Sequence, residues 1–298
     1  MTIDVALTRA IRGLPEQKDA CSTLDVRRLE AEILLAHVLK RDRVWILSNP
    51  GYRLPSTVYR LFRQLISRRR KHEPIAYILG EKEFYGRSFK VTRDVLIPRP
   101  ETETLVDLLA TAYRLLPTAF IWDIGTGSGA IAVTLALELQ AHVLATDISS
   151  AALKVAHRNA RQLKAPRLHF QKASLLDSRV KKILTQAAKK FPALVITANL
   201  PYLPLSDKTK LEPDVTKYEP GVALFSGADG LELMTRFLDH LAIERRHLGF
   251  KRITVYLEFD PPQAKKILRL AKTLFPRAEI RVHKDLAKRN RVLEISTS

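Results

Sequence analysis

The residues Asn199, Leu200, Pro201 and Tyr202 form the segment of this sequence that is best suited to chemistry. They follow an apolar run from Ala193 to Ala198 that has the length of a buried strand. The side-chain oxygen of Asn199 and the backbone carbonyl of Pro201 are two hydrogen-bond acceptors close together in the chain. Two such acceptors can hold the N–H bonds of an –NH2 group, so the tetrad predicts a planar substrate that reacts at an amide or amino nitrogen.

An amide nitrogen is a poor nucleophile because its lone pair is delocalised into the carbonyl group. If Asn199 and Pro201 accept its two N–H bonds, the lone pair is turned toward the incoming group, and negative dipole ends face the nitrogen as it becomes positive. Tyr202 would add a face against which the planar group packs. Asn199, Pro201 and Tyr202 are therefore the predicted catalytic residues, and all four members of the tetrad are predicted to bind substrate.

A glycine-rich turn, Asp123 to Gly129, precedes the tetrad and lies between a predicted strand and a predicted helix. Small residues in such a turn let the backbone approach a ligand while its amide groups point into the cleft. A dinucleotide site prefers the spacing Gly-x-Gly-x-x-Gly, and here the third glycine comes one residue early. Asp147 ends the next predicted strand, where a carboxylate can accept hydrogen bonds from both ribose hydroxyls.

These positions suit S-adenosylmethionine, which combines an amino-acid tail, a ribose and an adenine. Asp123 is placed to hold the ammonium group of the tail, and Ser174 follows the third strand, where the adenine is expected. The predicted cofactor-binding residues are Asp123, Gly125, Thr126, Gly127, Gly129, Asp147, Ile148, Ser174 and Asn199.

The elements that must position these residues fall into three predicted segments. Residues 1–79 have apolar positions at helical spacing and predict a small helical domain, in which the basic run Arg68 to Lys71 is expected to be a solvated helix end. Residues 80–100 alternate as a β-hairpin linker. Residues 101–298 alternate strand and helix patterns, which predicts an α/β fold with a mostly parallel sheet covered on both faces and an antiparallel pair at its end.

The composition restricts the class of protein and its partners. The chain has 298 residues and a formal net charge of +19, which implies attraction to a polyanionic partner such as RNA, DNA, a ribosome surface or an acidic protein. A single cysteine, Cys21, excludes an internal disulfide and fits a reducing compartment. No apolar stretch is long enough to span a bilayer. A cytoplasmic monomer without membrane attachment is expected, and the histidines show no metal-binding spacing.

Several motifs resemble the HemK/PrmC family of class I methyltransferases. In addition to the glycine turn and the tetrad, they are Glu73 to Gly80, Glu83 to Gly86, Leu96 to Glu103, Tyr218 to Pro220 and Gly227 to Leu231. The block Pro98-Arg99-Pro100-Glu101-Thr102-Glu103 is the specific part, because the turn and the tetrad also occur in methyltransferases that act on adenine. One departure is Leu200, where the family usually has proline; leucine keeps the backbone carbonyl, so the chemistry is expected to survive.

The resemblance implies a class I, Rossmann-like methyltransferase domain that uses S-adenosylmethionine, yields S-adenosylhomocysteine and modifies the glutamine amide in the Gly-Gly-Gln motif of peptide-chain release factors. It makes Arg99, Pro100 and Glu101 candidates for substrate contacts, and it assigns docking of a class I release factor to the N-terminal domain. Two alternatives stay open: an adenine-N6 methyltransferase acting on RNA or DNA, which the charge would also suit, and a non-catalytic protein that binds S-adenosylmethionine and RNA.

Overall fold

The computed structural model describes residues 1–15, 26–113 and 119–297. Cys21 and the predicted end of a helix near Leu115 lie outside these ranges. The chain forms two compact units, one of Met1–Glu81 with Glu212–Tyr218 and the other of Lys82–Leu211 with Glu219–Ser298. The second segment of the first unit comes from the range that the sequence assigns to the methyltransferase domain.

Helices and strands are numbered here in chain order. The α-helices are α1 (Ile3–Ile11), α2 (Val26–Leu39), α3 (Arg43–Ser48), α4 (Ser56–Arg70), α5 (Ile75–Leu79), α6 (Glu103–Tyr113), α7 (Ala130–Leu139), α8 (Ser150–Gln162), α9 (Ser178–Ala188), α10 (Pro213–Tyr218), α11 (Glu232–Glu244) and α12 (Ala264–Leu274). The strands are β1 (Glu81–Phe84), β2 (Arg87–Lys90), β3 (Ala119–Ile124), β4 (His142–Asp147), β5 (Leu168–Lys172), β6 (Ala193–Ala198), β7 (Arg252–Glu258), β8 (Glu279–Lys284) and β9 (Asn290–Thr297).

The helical unit is built around the apolar faces of α1, α2 and α4. Ile3, Leu34, Leu35 and Phe62 are almost completely removed from solvent and belong to one cluster. Two further members of the cluster, Leu7 and Ile66, lie four residues beyond Ile3 and Phe62, which places each pair on one face of its helix. This arrangement confirms the small N-terminal helical domain that the sequence predicts.

Arg69 departs from the expected solvated helix end, because its side chain is only 1% exposed. Its Nε donates to Glu30 Oε2 at 2.8 Å and its Nη1 donates to Asp214 Oδ2 at 2.8 Å. A buried guanidinium is tolerated only when it is paired in this way. Tyr218 Oη also donates to the carbonyl of Lys71 at 2.8 Å, so α10 is bound to the helical unit at both of its ends.

A two-stranded sheet of β1 and β2 forms the predicted hairpin. Its two turn residues, Tyr85 and Gly86, both have positive φ, at 51° and 68°. Two consecutive left-handed residues are typical of the tight turns whose twist matches that of paired antiparallel strands.

The large sheet has seven strands in the order β5-β4-β3-β6-β7-β9-β8. The first five are parallel, and β9 pairs antiparallel with both β7 and β8, which confirms the predicted terminal pair. The strand order reverses between β3 and β6, where Ile124 lies opposite Ala198. In open α/β sheets, ligands bind at the carboxyl ends of the strands on either side of such a reversal.

Alternate residues of the central strands face opposite layers of helices. Trp122 and Ile196 belong to a cluster with Phe237 of α11, whereas Ile121 and Val195 belong to a second cluster on the other face. Because strand side chains alternate with a period of two, continuous apolar strands are what a sheet covered on both faces requires.

Asn159, on α8, joins the hairpin to the glycine turn from a completely buried position. Its Nδ2 donates to the carbonyl of Ser128 at 2.8 Å and to that of Lys90 at 2.9 Å, while its Oδ1 accepts from Lys90 N at 2.8 Å. One amide therefore satisfies three backbone groups of two separate segments.

We expect Asn159→Asp to lower the free energy of unfolding by about 3 kcal/mol, because a carboxylate cannot donate to the two carbonyls and would be buried without a counter-charge. Urea unfolding of the variant and of wild type measures this difference. Gln162→Glu makes the same amide-to-carboxylate change at an exposed position of α8 and should be nearly neutral. Equal urea midpoints for the two variants would contradict the stabilising role of the three Asn159 hydrogen bonds.

Candidate active site

A cavity of about 300 Å³ opens at the carboxyl ends of β3 and β6, within the larger unit. Its lining includes Gly125 and Gly127 from the glycine turn, Asp147 from the end of β4, and Asn199 to Pro201 from the segment after β6. The predicted cofactor turn and the predicted tetrad thus meet at one cavity, because parallel strands bring their carboxyl ends to the same edge of the sheet.

The backbone of the glycine turn requires residues without a β-carbon. Gly125, Gly127 and Gly129 have φ values of 68°, 54° and 81°, in the left-handed region. A β-carbon on Gly129 would also lie 3.1 Å from Cβ of Ala156, so this glycine allows the turn to pack closely on α8. The turn therefore keeps its backbone open toward the cavity.

Asp147 is held at the end of β4 by two backbone amides. Its Oδ2 accepts from Gly127 N at 2.9 Å and its Oδ1 accepts from Ser149 N at 2.8 Å. Burial raises the pKa of the Asp147 carboxyl, and these amide bonds oppose the rise. Each carboxylate oxygen has a second lone pair, so the carboxylate in this position can still accept hydrogen bonds from a ribose.

The structure separates the predicted cofactor residues into two groups. Gly125, Gly127, Asp147, Ile148, Ser174 and Asn199 line the cavity. Asp123, Thr126 and Gly129 lie outside this lining. Asp123 is 1% exposed, and its Oδ1 accepts from Thr197 Oγ1 of β6 at 2.9 Å, while its contact with the cofactor stays a prediction.

The tetrad has contacts on the side away from the cavity. Asn199 Nδ2 donates to Thr102 Oγ1 at 3.0 Å, and Tyr202 Oη donates to Glu258 Oε1 at 3.2 Å. Burial next to Glu258 raises the pKa of the Tyr202 phenol, which keeps this donor protonated. Leu200 and Pro201 line the cavity, whereas Tyr202 lies outside its lining and packs against the apolar core of the sheet. The substrate-packing role predicted for Tyr202 thus has no counterpart in the lining.

The candidate residues in the Pro-Arg-Pro-Glu block also lie outside the cavity lining. Arg99 Nη2 donates to the buried Glu219, which in addition accepts from Ile97 N at 3.2 Å. Glu101 lies 3.4 Å from Arg289, and Pro100 begins a short 3₁₀ helix that ends at Thr102. The block therefore reaches the tetrad through Thr102, the residue that follows the three candidates.

Sequence reasoning missed Thr102, Glu258 and Gln263, which support the tetrad. Gln263 Nε2 donates to the carbonyl of Tyr202 at 2.7 Å. Glu258 ends β7, and its neighbour Leu257 lies opposite Ala198, the last residue before the tetrad. A carboxylate at the end of a predicted strand was the available signal for Glu258, since polar strand ends gather at the ligand-binding edge.

Asp123 and Glu258 are both 1% exposed, and burial raises the pKa of each carboxyl to about 7. Each also has one oxygen with no hydrogen-bond partner among the described residues. The folded-state pKa lies above the ordinary values of 3.8 and 4.5, so the unfolded chain loses these protons first as pH rises. The contribution of these two protonated carboxyls to the free energy of unfolding is thus fully present below about pH 4 and is lost as pH rises through about 7.

We expect Glu258→Gln to flatten this pH dependence. Relative to wild type, the variant should gain roughly 3 kcal/mol of unfolding free energy between pH 5 and pH 8.5, at 1.36 kcal/mol per pKa unit. Urea unfolding at the two pH values measures the change. The exposed Glu83→Gln serves as the control, and a pH dependence of Glu258→Gln equal to that of wild type would refute the prediction.

Within the described residues, no helix has the length and apolar character needed to cross a bilayer. The same residues contain no group of three or more His, Cys, Asp or Glu side chains arranged to hold a metal ion.

The sheet order, the glycine turn and the carboxylate at the end of β4 define a class I methyltransferase that uses S-adenosylmethionine. A model of a methyltransferase domain matches residues 121–214, and a model of the PrmC N-terminal domain matches residues 7–80. The chain belongs to the family of release factor glutamine methyltransferases.

Similar proteins from several bacteria support this family assignment. The release factor glutamine methyltransferase of Coxiella burnetii is 37% identical over 97% of this chain and 98% of its own length. That of Bacillus subtilis is 35% identical over 88% and 89%, and that of Neisseria gonorrhoeae is 42% identical over 68% and 71%. The Coxiella burnetii match extends over both units of the chain.

Among solved structures, the catalytic domain of hMettl16 in complex with the MAT2A 3′UTR hairpin 1 has a TM-score of 0.57 over 90% of this chain and 91% of that chain. The two chains are 12% identical. At that identity the likeness shows a shared methyltransferase fold.

Proposed function

We propose that this protein transfers a methyl group from S-adenosylmethionine to the side-chain amide nitrogen of the glutamine in the Gly-Gly-Gln motif of a class I release factor. Membership of the family supports the substrate. The observation that carries the chemistry is the position of Asn199 on the lining of the same cavity as Asp147 and the glycine turn.

The groups that line the cavity suit S-adenosylmethionine, the methyl donor. Asp147 offers carboxylate lone pairs to ribose hydroxyls, and the turn at Gly125 and Gly127 offers backbone without side chains. Ile148 and Ser174 lie where an adenine would be bounded by an apolar and a polar side chain. When bound, S-adenosylmethionine supplies an electrophilic methyl group on a sulfonium.

The residues of the tetrad act by positioning the acceptor nitrogen. The Asn199 oxygen and the backbone carbonyl of Pro201 accept the two amide N–H bonds and turn the nitrogen lone pair away from the carbonyl system. Their negative dipole ends stabilise the positive charge that develops on nitrogen, and such fixed dipoles are worth more in a buried cavity than in water. The S–CH3 bond would break as the N–CH3 bond forms, leaving S-adenosylhomocysteine, and the cationic nitrogen would then lose one N–H proton to solvent water, so no strong base is needed before transfer.

The two alternative functions are tested by the same assay. An adenine amino group could use the same acceptors, and the charge of +19 would favour RNA or DNA. A non-catalytic binding protein would retain the cavity without turnover. Family membership favours the release factor over both.

The deciding experiment measures transfer of a labelled methyl group to a purified release factor, its Gly-Gly-Ala variant, structured RNA and duplex DNA. The proposal requires label on the wild-type factor alone. Label on nucleic acid would support the adenine methyltransferase, and binding of S-adenosylmethionine without any labelled product would support the non-catalytic protein.

We further propose that the helical unit docks the release factor. A groove between α1 and α4 is lined by Arg9, Arg63 and Arg70 together with Tyr59, and no acidic side chain belongs to its described lining. Such a groove suits an acidic protein surface, and the remaining positive charge suits contact with the ribosome. A cytoplasmic location is part of the proposal, and the single cysteine fits the reducing compartment that it requires; the monomeric state stays a prediction.

Arg63→Ala is expected to raise the KM for the release factor by about fivefold through loss of a docking charge, with kcat and affinity for S-adenosylmethionine unchanged. Arg60→Ala removes the same charge from the exposed surface of α4 outside the groove and serves as the matched control. Steady-state kinetics with both substrates measures the effect. Identical KM values for the two variants would exclude the groove as the docking site.

A further inference from the structure

Thr102 lies between the NH2 end of the Asn199 side chain and a buried carboxylate, Glu258. Asn199 Nδ2 donates to Thr102 Oγ1 at 3.0 Å, and burial raises the pKa of the neighbouring Glu258 carboxyl while Thr102 lowers it. Thr102 and Glu258 are 4% and 1% exposed, so water has little access to either group. Three elements meet here: the segment before α6, the end of β6 and the end of β7.

An ionised Glu258 restricts where the hydroxyl proton of Thr102 can point. An ionised carboxylate can only accept hydrogen bonds, whereas a threonine hydroxyl has one proton and two lone pairs. Tyr202 Oη donates to Oε1 of Glu258, while Oε2 has no partner of normal hydrogen-bond geometry among the described residues. Thr102 Oγ1 accepts from Asn199 Nδ2, so its own proton is directed elsewhere, and the Glu258 carboxylate is the neighbouring acceptor.

This arrangement distinguishes the two ends of the Asn199 amide. Only the NH2 end can donate to the Thr102 lone pairs, so the oxygen end must point away from Thr102. Asn199 also lines the cavity, which the proposed substrate amide would enter. A flipped amide would place two donors against the donors of the substrate and would set its oxygen against the Thr102 lone pairs.

We propose that Thr102 and Glu258 are positioning residues that fix the orientation of the Asn199 side chain, so that its oxygen is presented to the substrate amide. The inference rests on the proposed transfer to an amide nitrogen. Neither residue needs to touch the substrate or the methyl donor, because both act through Asn199.

The neighbours of Glu258 are compatible with an ionised carboxylate in this role. Arg291 lowers the pKa of the Glu258 carboxyl, Tyr202 donates to it, and Glu101 raises its pKa. Arg291 Nη2 also lies 3.3 Å from Asp285 Oδ2. The positive charge of Arg291 is therefore shared between Asp285 and Glu258. Assays at pH 8.5 keep the carboxylate ionised, since burial raises its pKa only to about 7.

The test uses the full-length chain at pH 8.5 with S-adenosylmethionine and a release factor. Thr102→Val keeps the shape but removes the acceptor, and it should lower kcat by about 10- to 100-fold while the Kd for S-adenosylmethionine stays within about twofold. Thr102→Ser restores the hydroxyl and should recover kcat to within about threefold. Glu258→Gln should resemble Thr102→Val, and the double variant should lose no more than either alone.

Three results would overturn the proposal: a kcat of Thr102→Val within twofold of wild type, failure of Thr102→Ser to recover activity, or additive losses in the double variant. Unfolding midpoints of each variant separate these results from loss of the fold. An inactive wild type would reject the proposed function instead. In that case NMR decides the inference. The side-chain NH2 signal of Asn199, identified by its loss in Asn199→Ala, must shift in Thr102→Val and be retained in Thr102→Ser.

Discussion

Asn199→Ala is expected to lower kcat for release-factor methylation by about 10²- to 10³-fold. The side chain lies on the cavity lining, and its amide end is already bound to Thr102 at 3.0 Å, so the oxygen is available to the substrate. Removal of one such preorganised dipole typically costs about 3–4 kcal/mol of transition-state stabilisation. The loss should appear in kcat, because the favourable interaction grows as the nitrogen becomes positive.

Single-turnover and steady-state measurements with labelled S-adenosylmethionine provide the comparison. The affinity for S-adenosylmethionine should change by less than about threefold, because Asp147 and the glycine turn remain. Ser174→Ala, which alters another lining residue away from the tetrad, is the matched control and should retain most of its kcat. A variant Asn199→Ala with wild-type kcat would remove the tetrad from the mechanism.

Gly230→Ala is expected to disrupt the tetrad without touching the cavity. A β-carbon at this position would lie 2.0 Å from the carbonyl oxygen of Tyr202 and 2.5 Å from Gln263 Nε2. The residue also has φ of 79°, which disfavours any β-carbon. Because the first contact is with backbone, no side-chain rotation relieves it, and the segment that carries the tetrad must move.

The expected cost is about 3 kcal/mol or more in unfolding free energy, from overpacking added to left-handed strain, together with a fall in kcat of at least about tenfold. Gly86→Ala separates backbone strain from overpacking, since Gly86 has φ of 68° but nothing within 4 Å of the added carbon. It should cost about 1 kcal/mol and leave kcat unchanged. Urea unfolding and kinetics on both variants measure the difference, and equal losses would show that steric contact with Tyr202 is unimportant.

Local patterns were sufficient to predict the secondary structure of the catalytic part. The alternation of apolar strands and amphipathic helices predicted a parallel sheet covered on both faces, and the sheet of β3 to β9 has that form. The hairpin was also predictable, because alternating residues around Tyr85 and Gly86 are a short-range signal. Both predictions depend on neighbours within a few residues of each other.

The failures concern contacts between distant residues. Arg69 was expected in solvent because basic runs usually end helices there, yet Glu30 and Asp214 bind it in the interior. The packing of Tyr202 against the substrate stays a prediction, and the bond from its hydroxyl to Glu258 was not foreseen. In each case the deciding partner is far away in the chain, so no local pattern reveals it.

The sequence by itself determined the family, the class of fold and the two motifs that meet at the cavity, because glycine turns and strand ends depend on local backbone geometry. Only the tertiary structure decided which residues of those motifs line the cavity and which support it. It bound Asp123 to Thr197 of β6, and it brought Thr102, from before α6, and Glu258 and Gln263, from the end of β7 and just beyond, to the tetrad. The physical reason is that hydrogen-bond direction and burial arise from packing among distant segments, which sequence spacing does not specify.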